Sequence, residues 1–246
     1  MFLLSAPRTA LSNVNVRAFS YSGPMPKVSQ EYRDERRAHI LAAARRCFVR
    51  DGFHQTSMQD LVSEAGLSSG AVYRYFPGKN AMIEALAEQN LDEVITVLQQ
   101  SLATGVSAGE AMAAVLEHVR TRHTEDDFAA VAVLVWSEAL RNSALAARLR
   151  DSLDTAARAL TAQAQANGPH DVPPRAVADL LLCTLPGYLM QLAIRGPRAV
   201  DRIPADVKET FSPAATSKPA RRQANSARKS AQRGGHMPRP EGRSTR

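Results

Sequence analysis

The sequence has little of the chemistry on which several classes of protein depend. Only two of its 246 residues are cysteine, Cys47 and Cys183, which excludes a disulfide-stapled scaffold and a cysteine-rich metal site. Aromatic side chains make up 5% of the chain, with a single tryptophan. Apolar residues never form an uninterrupted run of about eighteen, the length that marks a membrane-spanning helix. We therefore expect a soluble protein whose cysteines are reduced.

Sequence signatures of catalysis are also missing. The chain has no glycine-rich loop for phosphates and no serine or cysteine nucleophile near a plausible base. His118 and His123 would lie about 140 degrees apart on a helix, so they do not form a metal-binding pair at the i, i+4 spacing. Asp126 and Asp127 are expected to cap a helix rather than to bind metal. The sequence therefore predicts no enzyme, no cofactor and no bound metal.

The formal net charge of +7 is unevenly distributed along the chain. Residues 213–246 carry nine basic side chains and one acidic side chain, whereas residues 80–212 carry 11 basic and 17 acidic ones. Residues 25–79 carry nine basic and six acidic side chains. The tail supplies most of the positive charge, so nucleic-acid binding must be argued from local motifs rather than from overall basicity.

Both ends of the chain have compositions typical of disorder. We expect residues 1–28 to be a disordered extension, and residues 1–24, which contain no acidic side chain, resemble an organellar transit peptide in their arginine and serine content. A simpler hypothesis is that translation starts at Met25. Residues 213–246 contain no aromatic side chain, and we expect a basic, disordered tail. This tail either adds salt-dependent affinity for nucleic-acid phosphates or has no specific role.

The clearest pattern is TSMQDLVSEAGLSSGAVYRYFPGK, residues 56–79. Thr56 is a good N-cap, Gln59 completes a capping box, and apolar residues then recur at i, i+3, i+4 and i+7. Gly66 suits the left-handed end of that helix, and Ser68 can cap a second one. Two short helices joined by a tight corner form a helix-turn-helix, a motif that places its second helix in a DNA groove.

The second helix of this motif has one side for the core and one for a partner. Val72 and Phe76 are one turn apart and should face the core. Gly70 and Ala71 keep the first turn small, which would allow a phosphate or a base edge to approach the backbone closely. The remaining arc carries hydrogen-bonding side chains.

Together with the preceding helix, residues 36–84 resemble the DNA-binding domain of the TetR/AcrR family of bacterial transcriptional regulators. The resemblance rests on RRAHILAAARRCFVRDGF, TSMQDLVSEAGLS and SGAVYRYFPGK as first helix, second helix with its turn, and recognition helix. It implies an all-α protein, with a three-helix helix-turn-helix DNA-binding domain followed by an α-helical regulatory and dimerisation domain. The DNA contacts that it implies are Thr56, Ser68, Ser69, Gly70, Tyr73, Arg74, Tyr75 and Lys79.

The resemblance implies different roles for the individual contact residues. Thr56 and Lys79 are expected at DNA phosphates, and Arg74 is expected to read a base. Tyr75 stands where the family more usually has histidine, so this position can donate from a hydroxyl but does not acquire an imidazolium charge. The alternatives are partial burial for Tyr73 and Tyr75, and plain solvation for Arg74.

The resemblance divides the chain into a DNA-binding domain over residues 29–85 and a ligand-binding and dimerisation domain over residues 86–212. The helix-turn-helix core spans residues 57–76. The second domain has no convincing strand pattern, and its last long segment is apolar nearly all round, which suits a central helix or a dimer interface. Its expected helices cover residues 80–104, 107–123, 126–142, 143–165 and 175–195.

A ligand pocket is expected between these helices, with plain core packing as the alternative for each lining residue. Glu138 lies beside Trp136 on an otherwise apolar segment. It could meet a cationic ligand, although we favour a pair with Arg141. The candidate lining residues are Met112, Leu116, Phe128, Leu134, Trp136, Tyr188 and Met190.

These observations predict a cytoplasmic, ligand-responsive repressor that binds a palindromic DNA operator as a homodimer. A small-molecule effector of unknown identity would lower the affinity for DNA through its preference for another conformation. Two alternatives remain. One is an activator, and the other is an architectural DNA-binding protein without a ligand, which would leave the acidic helical body without a role.

Overall fold

The computed structural model describes residues 29–168 and 171–212, in which all regular structure is helical. The predicted all-α fold class is confirmed. The expectations for residues 1–28 and 213–246, including Met25 as the start, lie outside the described residues. The helices are α1 (Gln30–Asp51), α2 (Met58–Ala65), α3 (Ser69–Tyr75), α4 (Lys79–Ala103), α5 (Ala108–Asp126), α6 (Phe128–Ala139), α7 (Ser143–Asn167), α8 (Pro174–Arg195) and α9 (Ile203–Phe211), with a 3-10 turn at Pro197–Ala199.

The first three helices and the start of α4 enclose a small hydrophobic core. The hydroxyl of Ser29 caps α1 by accepting from the backbone N–H of Tyr32. Burial of each large apolar side chain contributes about 1.5 to 3 kcal/mol, which is how so small a unit is held together. The large side chains that α1 to α4 and the loop after α1 bury in this core are Ile40, Leu41, Phe48, Phe53, Leu61, Phe76, Met82, Ile83 and Leu86.

Helices α4 to α9 form a second core in the C-terminal part of the protein. Helix α8 packs on α5, α6 and α7, and α9 packs on α5. Helix α9 was not predicted from the sequence. Helix α9 can pack closely on α5 because residue 109 of α5 is glycine. An added Cβ atom there would lie 2.8 Å from the Cβ of Phe211 on α9.

The two cores are connected through α6 and α7. Val131 and Val135 of α6, with Leu145 and Leu149 of α7, belong to the same buried cluster as the side chains of α1 to α3. Helix α4 contributes to both clusters. The N-terminal domain is therefore anchored on the second domain over a broad apolar contact.

Helix α8 is long and apolar enough, by length and composition alone, to cross a membrane. Helices α6 and α7 meet the same test only as a pair bent by 118°. In α8, 39% of the most apolar window is buried in the chain. A core helix of a soluble bundle has the same composition, and α8 packs along one side against three neighbouring helices. Its other side is apolar and exposed.

Three polar side chains differ from their predicted roles. Asp126 lies in the last turn of α5, and Asp127 adopts a left-handed conformation with φ of 59° between α5 and α6, so neither side chain caps α6. Glu138 does not pair with Arg141. Both instead reach His54 of the N-terminal domain, at 3.3 Å and 3.0 Å from its Nε2 atom.

Candidate DNA-binding surface and adjoining cavity

Helices α2 and α3 meet at the corner that the sequence predicted. Gly66 ends α2 in the left-handed conformation, with φ of 63° and ψ of 29°. The Ser68 hydroxyl caps α3 by accepting from the backbone N–H of Ala71 at 3.3 Å. Val72 and Phe76 are buried, which confirms that this side of α3 faces the core.

The opposite side of α3 is open. Ser69, Gly70 and Arg74 are exposed, and Tyr73 keeps 46% of its surface. Within the described part of the chain, Arg74 makes no hydrogen bond and no ion pair. A Cβ atom at Gly70 would meet nothing within 4 Å. This surface has donors that the protein itself does not use and a backbone that a partner can approach.

Tyr75 lies between these two sides. It is partly buried against the N-terminal core and lines a shallow groove between α3 and the start of α1. Tyr32 and Arg36 line the same groove, and the Arg36 guanidinium donates to the Tyr32 hydroxyl at 2.7 Å. Sequence reasoning did not single out these two residues, because their position beside α3 depends on how α1 packs.

Thr56 does not cap α2, so that prediction is wrong. Its side chain is 1% exposed, and its hydroxyl donates to the Gly52 carbonyl at 2.8 Å. Ser57 is the N-cap, and it forms the capping box with Asp60. With its hydroxyl engaged inside the domain, Thr56 cannot offer it to a DNA phosphate. The Ser57 hydroxyl is exposed but donates to the Asp60 carboxylate at 2.7 Å.

Lys79 also differs from its predicted role at a phosphate. Its Nζ atom donates to the backbone carbonyls of Phe53, His54 and Thr56 at 3.0 to 3.1 Å. It lies 4.9 Å from the centre of the Phe53 ring. An ammonium group has three N–H donors, so these carbonyls use all of them. Lys79 therefore holds the loop between α1 and α2.

Helix α2 is fixed on α1 by polar contacts. Glu64 pairs with Arg46 at 2.7 Å and with Arg50 at 3.2 Å. Hydrogen bonds from both guanidinium groups hold the pKa of the Glu64 carboxyl below its usual range. His39 Nε2 lies 2.8 Å from the carbonyl oxygen of Ala65, at the end of α2. The orientation of the helix-turn-helix is thus set by α1.

A narrow cavity lies between α4, α5, α6, α7 and α8. Its volume is about 60 Å³, so its walls would have to move apart to hold a molecule much larger than a few waters. Its lining is apolar apart from Asn90 and Ser152. No charged side chain lines it among the described residues.

The structure places three of the predicted lining residues, Met112, Phe128 and Trp136, on this cavity. The others lie elsewhere. Leu116 and Tyr188 are packed in the core, and Met190 is exposed on the outer side of α8. Leu134 is partly buried against the N-terminal core. For Leu116, Leu134 and Tyr188, spacing along a helix predicted burial but did not distinguish a filled core from a cavity, whereas Met190 is not buried in the chain.

Tyr188 is one of the predicted lining residues that lies in the filled core and not on the cavity. Its ring is almost completely buried, and burial raises the pKa of its hydroxyl to about 12. The hydroxyl therefore stays protonated at neutral pH. It has no hydrogen-bond partner among the described residues.

Asn90 joins the cavity to the N-terminal domain. Its Oδ1 atom accepts a long hydrogen bond, 3.4 Å, from Nη2 of Arg45 in α1. The other terminal nitrogen of Arg45 pairs with Asp126 of α5 at 3.1 Å. Burial lowers the pKa of the Arg45 guanidinium, and the Asp126 carboxylate acts in the opposite direction. One buried guanidinium thus connects α1, α4 and α5.

Comparison with known proteins identifies similar chains. Residues 40–86 match the family model described as bacterial regulatory proteins, tetR family. The HTH-type transcriptional repressor Rv1474c of Mycobacterium tuberculosis is 32% identical over 181 residues, covering 69% of this chain and 88% of that protein. The HTH-type transcriptional regulator YfiR of Bacillus subtilis is 45% identical over 76 residues, and the match spans 37% of its length.

A solved structure extends the similarity to the helical domain. Salmonella enterica GusR superposes with a TM-score of 0.58 and is 30% identical in sequence. The match covers 75% of this chain and 96% of that one. The similarity therefore includes both domains and not the helix-turn-helix alone.

Proposed function

Because this chain belongs to the TetR family of bacterial transcriptional regulators, we propose that it is a ligand-responsive repressor that binds a palindromic operator as a homodimer. The observation that carries this proposal is the exposed side of α3, where Tyr73 and Arg74 are free of contacts that would occupy them within the described chain. Its site of action would be the bacterial cytoplasm, where the chromosome lies.

The proposed DNA contacts follow from that surface. Arg74 would read a base edge in the major groove, since its guanidinium matches the acceptor pair of guanine. Ser68, Ser69 and Tyr73 would position α3 on the phosphates, and Gly70 would allow close approach. The groove suggests a supporting contact from Tyr75 and Arg36.

The homodimer would form through the exposed side of α8. Five of its exposed residues recur at a spacing of three and four, the spacing of a helix-pairing seam. Small residues in the middle of the seam would let two helices approach closely, and a Cβ atom at Gly187 would meet nothing within 4 Å of its own chain. The seam consists of Leu180, Cys183, Gly187, Met190 and Ile194.

A dimer of this kind would present two copies of α3 to successive major grooves. Their separation should be roughly 34 Å, one turn of DNA. A molecule bound in the cavity would weaken DNA binding if it favours a form with another separation, and DNA would weaken its binding by the same factor. Helix α4 begins directly after the recognition helix and lines the cavity, so it connects the two sites.

Selection of binding sites tests this function directly. The full-length chain would be incubated with fragmented genomic DNA, and the bound fragments would be sequenced. We expect enrichment of a palindrome whose half-sites are centred about 10 base pairs apart. Binding without sequence preference would favour the architectural alternative, and a single unpaired half-site would contradict the dimer.

Arg74→Ala should cost about 1 to 3 kcal/mol of discrimination at one base position in each half-site. The folded protein should keep its stability, because Arg74 is exposed and makes no hydrogen bond or ion pair with the described residues. Fluorescence anisotropy on operators with single substitutions measures this effect. Unchanged preference at every position would remove Arg74 from base recognition.

Gly70→Leu should weaken operator binding at least tenfold without destabilising the protein. The position has open space around it, and leucine favours a helix more than glycine does by about 1 kcal/mol. The added side chain would separate α3 from the DNA. Ala162→Leu, at an exposed position of α7, is the matched control and should bind the operator normally. Normal binding by Gly70→Leu would show that this side of α3 does not face DNA.

A further inference from the structure

The cavity has a polar group that the protein leaves unused. Asn90 is 6% exposed, and its Nδ2 atom is buried without a hydrogen-bond partner among the described residues. An unsatisfied buried donor costs about 1 to 3 kcal/mol. Asn90 and Ser152 are the two polar residues among the described side chains that line the cavity. The amide group therefore has a donor to offer to a molecule bound there.

The orientation of the Asn90 amide is set by its neighbour. A guanidinium group can only donate hydrogen bonds, so the amide oxygen must be the atom that faces Arg45. The two N–H donors then remain for the other side. Because these donors have no partner among the described residues, Asn90 can offer a donor to a molecule that contacts it from the cavity.

The rest of the lining restricts the chemical class of the ligand further. Burying an unpaired charge in an apolar cavity is far more costly than burying a neutral polar group. Because no described charged side chain lines the cavity, neither an anion nor a cation would find a partner on its walls. The walls instead match aliphatic and aromatic surface.

We propose that the cavity takes a neutral, largely apolar molecule with a hydrogen-bond acceptor, that Asn90 donates to this acceptor, and that Arg45 carries the effect to α1. This inference rests on the proposed function for its regulatory part, while its binding part stands without DNA. A ligand that draws the amide of Asn90 toward the cavity weakens its contact with Arg45.

The contact network around Arg45 explains how that change reaches the DNA-binding domain. Asp126 pairs with Arg45 and with Arg122, the latter at 2.7 Å, and Arg122 also pairs with Glu93 of α4 at 2.7 Å. Arg45 is the member of this network that belongs to α1. Weakening its bond to α4 therefore changes what holds α1, and with it α2 and α3, on the helical domain.

Trp136 is the only tryptophan of the chain and lines the cavity, so its fluorescence reports binding there. The probes are 2-decanone, a neutral acceptor, with decanoate and decylammonium as charged molecules of the same chain length. We expect a saturable change in Trp136 emission with 2-decanone, and at least tenfold weaker binding of both ions at pH 7. Preference for either ion, or no saturable response to 2-decanone, would overturn the assigned class.

Asn90→Leu removes the donor and keeps a side chain of similar size. We expect 2-decanone to bind about five- to tenfold more weakly, as for the loss of one neutral hydrogen bond. Ser152→Ala, at the other polar lining position, is the matched control and should bind normally. Thermal unfolding would verify that both variants fold. Asn90→Asp provides a second variant, because it keeps an acceptor for Arg45 but loses the donor. Unchanged binding by both Asn90 variants would overturn the role of Asn90.

A separate experiment measures the effect of the bound molecule on operator affinity. In the wild-type protein, saturating 2-decanone should lower operator affinity, while Arg45→Lys should bind 2-decanone normally but show a smaller loss of operator affinity. An equal loss in both proteins would overturn the coupling through Arg45. Because the fluorescence titrations contain no DNA, failure to find an operator would contradict the proposed function and leave the ligand assignment to be judged separately.

Discussion

Ile194→Asp should convert the proposed homodimer into a folded monomer and reduce operator affinity about a hundredfold or more. Ile194 is 74% exposed in the single chain, so a carboxylate there loses little packing and costs the monomer little stability. In a dimer joined through α8, the same carboxylate would be buried in an apolar seam without a partner. A monomer also loses the gain in affinity that comes from two linked half-sites, typically 10²- to 10⁴-fold.

Analytical ultracentrifugation and operator anisotropy measure the two parts of this prediction. Leu140→Asp is the matched control, because Leu140 is 88% exposed and also lies at the C-terminal end of a helix. It should remain a dimer with normal affinity. If Ile194→Asp were dimeric, the seam on α8 would not be the interface. Oxidative cross-linking through Cys183, which is exposed in the middle of the seam, gives an independent check.

Lys79→Ala should lower the free energy of unfolding by about 2 to 3 kcal/mol. Hydrogen bonds to charged groups contribute about 1.5 to 3 kcal/mol each, although three that share one ammonium do not add fully. The substitution also leaves the three loop carbonyls without their donor and removes the cation from the Phe53 ring. Urea unfolding followed by circular dichroism measures the loss.

Arg148→Ala is a suitable control, since it removes a cation from a half-exposed ion pair with Glu88 and should cost no more than about 1 kcal/mol. The salt dependence of operator binding separates the two roles of Lys79. An unchanged slope is expected from a residue that holds a loop. If Lys79→Ala instead lowered the slope of log affinity against log salt concentration by about one and kept normal stability, Lys79 would contact a DNA phosphate.

Features set by neighbouring residues could be predicted from the sequence. The corner at Gly66, the cap at Ser68 and the burial of Val72 and Phe76 all depend on interactions within one turn, and the structure has each of them. The N-cap of α2 was predicted at Thr56 but lies at Ser57. The Thr56 hydroxyl instead donates to the carbonyl of Gly52, directly after α1, a contact that depends on how the end of α1 meets α2.

The missed or misassigned side chains have partners far away in the sequence. Lys79 donates to carbonyls 23 to 26 residues before it, and Arg45 pairs with a carboxylate 81 residues after it. Glu138 was assigned to a neighbour on its own helix but lies beside His54. No local pattern contains such contacts, since they exist only after the helices have packed.

The sequence by itself determined the all-helical class, the helix-turn-helix and the side of α3 that faces away from the core. These follow from caps, turn residues and apolar spacing, which act over a few residues. Only the tertiary structure decided that Lys79 faces inward, that Met112 and Trp136 border a cavity while Leu116 does not, and that Asn90 lies between that cavity and Arg45. Helical spacing specifies which side of a helix is buried, but the packing of several helices specifies what lies against that side.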